Sequence, residues 1–285
     1  MIMSEKNKTE ASVLYLVATP IGNLSDISAR ALKVLSDVDF IAAEDTRNTA
    51  KLLSCFDIKK ELISYFEHNK RERGMQIISR LLAGESCALV TDAGMPAISD
   101  PGEDMVRLCA ENGIKTVCIP GCCAAVTALA LSALPTGRFC FEGFLSKDKK
   151  DRRERLDFLR GETRTMIFYE SPHHLTKTLS EMRDAFGGDR KISLCRELTK
   201  INEEVFRSTV DGAISEFESR EVRGEFVLVV DGAREARTAD APEMSIEDEV
   251  MLYTNEGMSK MDAIKRVAKN RGVPKNEIYN LFKND

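Results

Sequence analysis

The residues best suited to chemistry are concentrated in the segment 90–102, which reads VTDAGMPAISDPG. This segment follows a short apolar stretch, CALV, and precedes a helical pattern, so it is predicted to be a strand-to-helix loop. It contains two Asp, two Gly and two Pro, which is more than a simple connection needs. Because open α/β sheets bind ligands at the carboxyl ends of their strands, the loop is predicted to line a ligand site.

Other polar loops adjoin predicted strands in a similar way, with the sequences TPIGN, EDTR, EHN, PGCCAA, ESPHH, RELTK and RGEF. In a parallel sheet these loops would share one edge, where a cleft would collect Glu44, Asp45, Arg47, Glu67, His68, Asp92, Asp100, Glu170 and Glu197. Each of these side chains taken alone is more typical of a helix cap or a salt bridge than of a catalytic group. Their repetition at strand ends favours a shared ligand site.

The common nucleotide fingerprints are absent from the sequence. No GxGxxG follows the first strand and no GxxxxGK[ST] occurs, which argues against a Rossmann dehydrogenase and a P-loop NTPase. The PGCCAA segment places small residues at a predicted helix start, where backbone N–H groups can approach a ligand closely. Tight packing of that helix against a strand is the alternative interpretation.

The elements that must position these loops alternate between strand and helix. Strands are predicted at 13–18, 40–43, 62–65, 87–90, 115–119, 165–169, 191–195, 204–208 and 226–230. The alternation predicts an α/β fold with parallel sheets and helices on both faces, the first helix being capped by Ser25 or Asp26. The predicted organisation is a disordered tail (1–12), an N-terminal α/β domain (13–138), a second α/β domain (139–235) and a helical, helix-turn-helix-like appendage (243–285), with a linker at 236–242.

Composition limits the class of protein. The chain has 285 residues, a net charge of −5 and eight Cys without a CxxC pair, so we expect buried reduced thiols, no metal site and a cytoplasmic location. No apolar run approaches the ~18 residues of a membrane span. Any nucleic-acid contact must depend on local basic stretches at 147–155 and 260–275, which are otherwise typical of solvated helix faces.

Six motifs occur together in one order: TPIGNLSDIS, AAEDTRNT, DAGMPAISDPG, FYESPHH, RELTK and GEFVLVV. Over residues 13–232 the chain resembles the tetrapyrrole (corrin/porphyrin) methylase superfamily, and within it the branch that methylates ribosomal RNA. The resemblance implies two α/β domains with S-adenosylmethionine in the cleft between them, and a homodimer. It also implies methyl transfer to the 2′-oxygen of a cytidine in the decoding region of small-subunit (16S) rRNA. The C-terminal segment resembles the helical domain of that branch.

Carried over by position, the resemblance implies a set of cofactor-binding residues: Pro20, Asp92, Gly94, Ile98, Asp100, Cys123, Ala124, Tyr169, Glu170, Leu198, Glu225 and Phe226. Two places depart from the family pattern. Met95 stands where Thr is usual, and Cys122-Cys123 stand where Pro-Ser or a similar small polar pair is usual. These replacements remove a hydroxyl and a rigid Pro, while the backbone roles of both loops are unaffected.

A ribose 2′-hydroxyl is a weak nucleophile, so a base or a cation must assist its attack on the methyl group. The candidates are His68, Glu67, Glu44, Asp45 and Lys200, and the sequence does not choose among them. The predicted RNA-binding cations are Arg47, Arg71, Lys149, Arg152, Arg153, Lys265, Arg266 and Lys269. Two alternatives remain: a methylase of a small tetrapyrrole, which should have a less basic surface and no helical tail, and a non-catalytic RNA- or nucleotide-binding module.

Overall fold

The computed structural model describes residues 8–233, 245–255, 257–271 and 273–282. The described residues up to Ala233 form one compact unit, and those from Ser245 onward form a second. Most of the predicted tail and the predicted linker at 236–242 lie outside the described residues.

The first sheet is entirely parallel. Its strands, in the order β3-β2-β4-β1-β5, are β1 (Val13–Val17), β2 (Phe40–Ala43), β3 (Glu61–Ser64), β4 (Cys87–Val90) and β5 (Lys115–Ile119). Every residue of β1, β2 and β4 is buried, which is typical of parallel strands covered on both faces. The helices of this half are α1 (Ala29–Asp37), α2 (Thr46–Ser54), α3 (Lys70–Leu82), α4 (Gly102–Glu111) and α5 (Ala124–Leu131).

The predicted cap of the first helix was wrong. A short 3₁₀ turn, Leu24–Asp26, takes up both Ser25 and Asp26. Helix α1 begins after this turn and is capped by Ser28, whose hydroxyl accepts the N–H of Ala31 at 3.0 Å. The cap side chain thus satisfies one of the amide groups that a helix start leaves without an intrahelical partner.

The second sheet contains strands of both directions, so the predicted parallel arrangement was wrong there. Its strands, in the order β6-β7-β10-β8-β9, are β6 (Phe139–Phe144), β7 (Thr165–Glu170), β8 (Lys191–Arg196), β9 (Glu204–Thr209) and β10 (Phe226–Val230). Only β6 and β7 are parallel, and the other neighbours pair antiparallel. Strands buried on both faces are apolar throughout whichever way they run, so the sequence pattern does not reveal their direction.

Helices cover both faces of the second sheet. On one face lie α6 (Lys149–Leu159), α7 (Leu175–Phe186) and α8 (Val210–Glu218), packed on a large apolar core. On the other face lies α5, although it comes from the first part of the sequence. Ala128 and Leu129 of α5 are buried with Ile167 of β7, and Arg207 of β9 donates from Nε to the Leu131 carbonyl at 3.1 Å. Helix α5 therefore joins the two halves of this unit.

The second unit consists of short helices, as predicted. They are α9 (Ile246–Asn255), α10 (Lys260–Arg271) and α11 (Lys275–Leu281), which share a small core that includes Val250, Ile264, Val267 and Ile278. None of the helices in the described part of the chain combines the length and apolarity that a membrane crossing needs. The cysteines are all free, and three are buried, but Cys55 and Cys118 are exposed, contrary to the expectation of burial.

Arg152 is buried, so its predicted contact with RNA was wrong. Only 7% of the residue is exposed, because α6 turns this side chain inward against α7. Its guanidinium pairs with Glu181, lies 3.7 Å from Glu170 and donates to Thr178 Oγ1 at 2.5 Å. The neighbouring Arg153 points outward, with 85% of its side chain exposed.

We expect Arg152→Met to lower the free energy of unfolding by roughly 3 kcal/mol, because it leaves the buried Glu170 carboxylate without its ion-pair partner. The matched variant Arg153→Met should change stability by less than about 0.5 kcal/mol, since Arg153 is exposed. Urea unfolding of both variants measures the difference. Equal stabilities would contradict the structural role of Arg152.

Candidate active site in the cleft between the two sheets

One carboxylate folds the loop between β4 and α4 back on itself. Asp100 Oδ1 accepts the N–H of Ala97 at 3.0 Å and that of Gly102 at 2.7 Å. Ala97 and Ser99 both have positive φ, 68° and 64°, a conformation that is costly for residues with a side chain and concentrates at functional sites. A Cβ on Gly102 would lie 2.8 Å from the Ala97 nitrogen, so this turn requires glycine. The loop is therefore constrained well beyond what a connection needs.

The loop after β1 is tied to the same segment. Thr19 and Gly94 exchange two backbone hydrogen bonds, with N–O distances of 2.9 and 3.1 Å. Gly94 has a φ of 86°, and a Cβ there would lie 3.2 Å from Ile21 Cγ2. The absence of a side chain at Gly94 thus lets these two loops meet, and Gly94 is part of the cleft lining.

Two carboxylates stand side by side where β2 and β4 end. Thr91 Oγ1 donates to Glu44 Oε2 at 2.6 Å, and Asn48 Nδ2 donates to Asp92 Oδ2 at 3.0 Å. Burial raises the pKa of the Asp92 carboxyl, and the negative charge of the neighbouring Glu44 raises it further. The hydrogen bond from Asn48 lowers the pKa but does not cancel the rise. A raised pKa makes the Asp92 carboxylate a stronger base than an exposed one.

The second sheet contributes a wall through the antiparallel placement of β10. Phe226, at the start of β10, is paired with Glu170 at the end of β7 and with Arg196 at the end of β8. The segment before β10, with Glu225, therefore meets the segment after β8, with Leu198. The RGEF motif reaches the site because its strand runs in the opposite direction, and the parallel arrangement first expected would have placed it at the other edge.

Lys200 is held between two carboxylates on this wall. Its Nζ lies 2.9 Å from Glu197 Oε1 and 2.9 Å from Glu225 Oε2. Partial burial disfavours the charged form, but the hydrogen bonds that the ammonium donates to Glu225 and Glu197 outweigh it and raise the pKa of Lys200. The side chain is consequently a cation at neutral pH and is not a base.

Two glycines mark places where the halves of the unit touch. A Cβ on Gly22 would lie 2.4 Å from Lys200 Cγ, and a Cβ on Gly143 would lie 3.0 Å from Ser99 Oγ. In each case a loop of the first half passes directly against a segment of the second half. The walls of the cleft are thereby fixed close to one another.

The cleft encloses about 590 Å³ between the two sheets. It brings together eleven of the predicted cofactor residues: Asp92, Gly94, Ile98, Asp100, Cys123, Ala124, Tyr169, Glu170, Leu198, Glu225 and Phe226. The twelfth, Pro20, is outside the lining and immediately precedes Ile21, which is part of it. Burial, together with the nearby Cys123 thiol, raises the pKa of Tyr169 to about 12, so its hydroxyl stays protonated.

The predicted catalytic candidates divide into two groups. Glu44 and Lys200 line the cleft. Asp45 caps α2 by accepting a backbone N–H, and Glu67 and His68 are exposed beyond the end of β3. Strand β3 is the edge strand of its sheet, so its loop is set apart from the strands that border the cleft.

Several lining residues were missed in the sequence, among them Phe144, Ser171, Cys195 and Val227. Ser171 belongs to the ESPHH motif, and its position directly after Glu170 was an available signal. Cys195 and Val227 lie within apolar strands, where an alternating pattern would have been needed to separate the cleft face from the other face. Phe144 depends on a strand irregularity that the sequence does not display.

The other predicted RNA-binding cations are all exposed: Arg47, Arg71, Lys149, Arg153, Lys265, Arg266 and Lys269. Arg47 pairs with Asp45 at 2.7 Å, Lys265 pairs with Asp262 at 2.9 Å, and the Arg266 guanidinium lies 4.9 Å from the centre of the Tyr253 ring. Exposed pairs of this kind exchange partners easily, so these side chains are accessible to phosphate groups.

Comparison with known proteins agrees with this architecture. The family model described as Tetrapyrrole (Corrin/Porphyrin) Methylases matches residues 13–213. The chain is 47% identical over 282 residues to the ribosomal RNA small subunit methyltransferase I of Halalkalibacterium halodurans, covering 98% of this chain and 97% of that protein. It is 43% identical to the protein of the same name from Bacillus subtilis, again covering 98% and 97%.

Among solved structures, the uroporphyrin-III C-methyltransferase from Thermus thermophilus, complexed with S-adenyl homocysteine, has the same fold. The two chains share 15% sequence identity, with a TM-score of 0.54, and the match covers 76% of this chain and 96% of the other. The first sheet is parallel, the second is mixed, and the cleft lies between them. Together with the match of the family model and the nearly full-length match to its relatives, this shows that the chain belongs to the tetrapyrrole (corrin/porphyrin) methylase family.

Proposed function

We propose that this chain transfers the methyl group of S-adenosylmethionine to the 2′-oxygen of a cytidine in small-subunit (16S) rRNA. The observation that carries the proposal is the cleft, which gathers acidic, apolar and cationic residues from both sheets. It belongs to a chain similar over 98% of its length to ribosomal RNA small subunit methyltransferases. The choice of cytidine and of the 2′-oxygen rests on the resemblance and on the chemistry below.

The cleft suits S-adenosylmethionine in size and in chemistry. Its volume of about 590 Å³ lies within the range of ~300–1,000 Å³ typical of small-molecule sites. Asp92 presents an accessible carboxylate to a ligand with cationic groups. The carboxylates of Asp100 and Glu170 are engaged within the protein and shape the lining, while Ile98 and Leu198 supply apolar surface. When bound, this cofactor supplies a methyl group on a positively charged sulfur, which needs little further activation.

The remaining chemistry belongs to side chains of this protein. In this proposal a carboxylate of the cleft lining, Glu44 or Asp92, accepts the proton of a 2′-hydroxyl as its oxygen attacks the methyl carbon. The Lys200 ammonium, which also lines the cleft, stabilises the negative charge that develops on that oxygen. His68, Glu67 and Asp45 remain predictions. Their position outside the cleft lining makes them less favourable candidates for the base.

The helical tail favours RNA over a small tetrapyrrole as the substrate. The match to the rRNA methyltransferases covers 98% of this chain. The match to the uroporphyrin methyltransferase structure covers 96% of that chain but only 76% of this one. A separate helical unit with exposed Lys265, Arg266 and Lys269 suits contact with an RNA backbone. The homodimer, which the resemblance implies, and the cytoplasmic location, which the cysteine pattern predicts, complete the proposal.

The direct test is methylation of small ribosomal subunits that lack this modification, followed by mapping of the modified nucleotide. We expect one methyl group on a cytidine ribose. Methylation of a base, or of a tetrapyrrole instead of RNA, would overturn the proposal. Binding of RNA without any transfer would favour a non-catalytic binding module.

Gly94→Ala should weaken binding of S-adenosylhomocysteine at least tenfold, because a side chain there would crowd Ile21 and strain a backbone with positive φ beside the ligand. Gly113→Ala is the matched control. Its φ is also positive, at 66°, yet a Cβ there would meet nothing within 4 Å. Titration calorimetry should show less than a twofold change for Gly113→Ala, and equal losses would argue against Gly94 as part of the cofactor wall.

Lys200→Met should lower kcat about 100-fold, because the charge on the attacking oxygen loses its cation. Lys200→Arg should retain part of the activity, and Lys177→Met, an exposed lysine on α7, should retain all of it. Since the pKa of Lys200 is raised above its usual 10.5, the cation persists as the pH rises. The wild-type rate should therefore show no alkaline decline from this group below pH 10.5, and an earlier decline that Lys200→Arg removes would contradict the assignment.

Reversal of charge at Lys265, Arg266 and Lys269 should weaken binding to the small subunit and reduce the dependence of affinity on salt, because fewer counterions are released. The control reverses three other lysines, Lys33, Lys51 and Lys59, and so changes the net charge equally. Filter binding at several salt concentrations compares the two variants. Unchanged affinity and salt slope in the tail variant would exclude the tail as the RNA anchor.

A further inference from the structure

A β-bulge at the end of β6 changes the direction of one aromatic side chain. In the pairing with β7, Phe141 is opposite Ile167, but Gly143 is opposite Phe168, so Glu142 is the extra residue. In a regular strand, side chains three positions apart point to opposite faces. The extra residue restores Phe144 to the face of Phe141, because a bulge shifts the alternation by one.

The ring contacts follow from this shift. Phe141 and Phe144 both pack against the ring of Tyr169, with centroid distances of 5.0 and 5.4 Å. Gly143 permits the bulge, since its φ is 61° and a Cβ there would lie 3.0 Å from Ser99 Oγ. The bulge therefore delivers Phe144 into the lining of the cleft, beside the loop of the first half.

Phe144 is an unusual lining residue because 62% of it is exposed. The apolar residues deeper in the cleft, such as Phe226 and Leu198, are buried. The side of the Phe144 ring that faces Tyr169 is supported, and much of the remainder is open to solvent. An exposed, supported aromatic ring at the mouth of a cleft has the form of a stacking platform.

Cations follow Phe144 directly in the sequence. Lys147, Lys149 and Lys150 lie three to six residues further on, at the start of α6, and all three are exposed. Asp148 is occupied as the cap of α6, accepting the N–H groups of Lys150 and Asp151. An aromatic ring followed by accessible lysines is the combination that single-stranded nucleic acid binds, with its bases stacked and its phosphates neutralised.

We propose that Phe144 is the platform on which an unstacked nucleobase of the RNA substrate lies when its ribose enters the cleft, with the lysines of the α6 start contacting the adjacent phosphates. This inference rests on the proposed function and adds to it the residue that receives the base. A 2′-hydroxyl reaches a recessed site only if its nucleotide leaves the helical stack, and the displaced base then needs a new stacking partner. The ring supplies that partner without reading the identity of the base.

The chain contains no Trp, so a single introduced indole is a clean reporter. The experiment compares the emission of Phe144→Trp on addition of S-adenosylhomocysteine alone, and then of a short single-stranded oligoribonucleotide containing one cytidine. Phe139→Trp is the control, because Phe139 lies on the same strand, is 42% exposed and is outside the cleft lining. We expect the oligoribonucleotide to quench the emission of Phe144→Trp and to leave that of Phe139→Trp unchanged.

Steady-state kinetics on small subunits provides the second measurement. Phe144→Ala should raise the KM for the subunit roughly tenfold, since loss of one stacked base weakens binding by about that factor or more. Phe144→Tyr should restore the wild-type KM, Phe139→Ala should keep it, and the affinity of Phe144→Ala for S-adenosylhomocysteine should change less than twofold.

Three results would overturn the inference. The first is quenching of Phe144→Trp by S-adenosylhomocysteine alone. The second is an emission of Phe144→Trp that changes with the concentration of the protein and not with added RNA. The third is a KM for Phe144→Ala equal to that of the wild type. The first would assign the ring to the cofactor, and the second to a contact between two copies of the chain. Normal quenching of Phe144→Trp by the oligoribonucleotide, together with no methyl transfer by the wild-type chain, would count against the proposed function alone.

Discussion

The cleft depends on the direction of one strand. Strand β10 enters the second sheet between β7 and β8 and runs antiparallel to both. Its first residues therefore lie beside the last residues of its neighbours, and Glu225 can share Lys200 with Glu197. Had β10 run parallel, its start would lie roughly 15 Å away at the opposite edge, given about 3.3 Å per residue. Neither the clamped cation nor the second wall would then exist.

Much of this arrangement could be predicted from the sequence, because loops and strands leave local signals. The 90–102 loop was identified from its Asp, Gly and Pro content, and nine of the ten strands were predicted from short segments rich in apolar residues, β6 being the exception. Strand direction leaves no such signal when both faces are covered, so the second sheet was predicted as parallel. The residues of that half that the resemblance assigns to the cofactor nevertheless line the cleft, because their family motifs do not depend on knowing how the strands run.

Side-chain orientation was the other part beyond the reach of the sequence. Arg152 and Arg153 are adjacent cations in one charged run, yet one is buried in an ion-pair network and the other is exposed. Only the packing of α6 on α7 distinguishes them. Phe144 is similar, since a single extra residue in β6 decides which face the ring occupies, and bulges arise from tertiary contacts such as that between Gly143 and Ser99.

Helix α5 has a consequence for the modularity of this protein. It precedes the boundary at which the two α/β halves were divided, but its buried residues cover the second sheet, and β9 holds its last turn. A fragment beginning at residue 139 would expose the apolar face that α5 shields, and a fragment ending there would carry an unsupported helix. Recombination between relatives should therefore preserve function only if residues 124–131 are inherited together with the second half. Helix α5 thus belongs to the first half by its place in the sequence and to the second half by its packing.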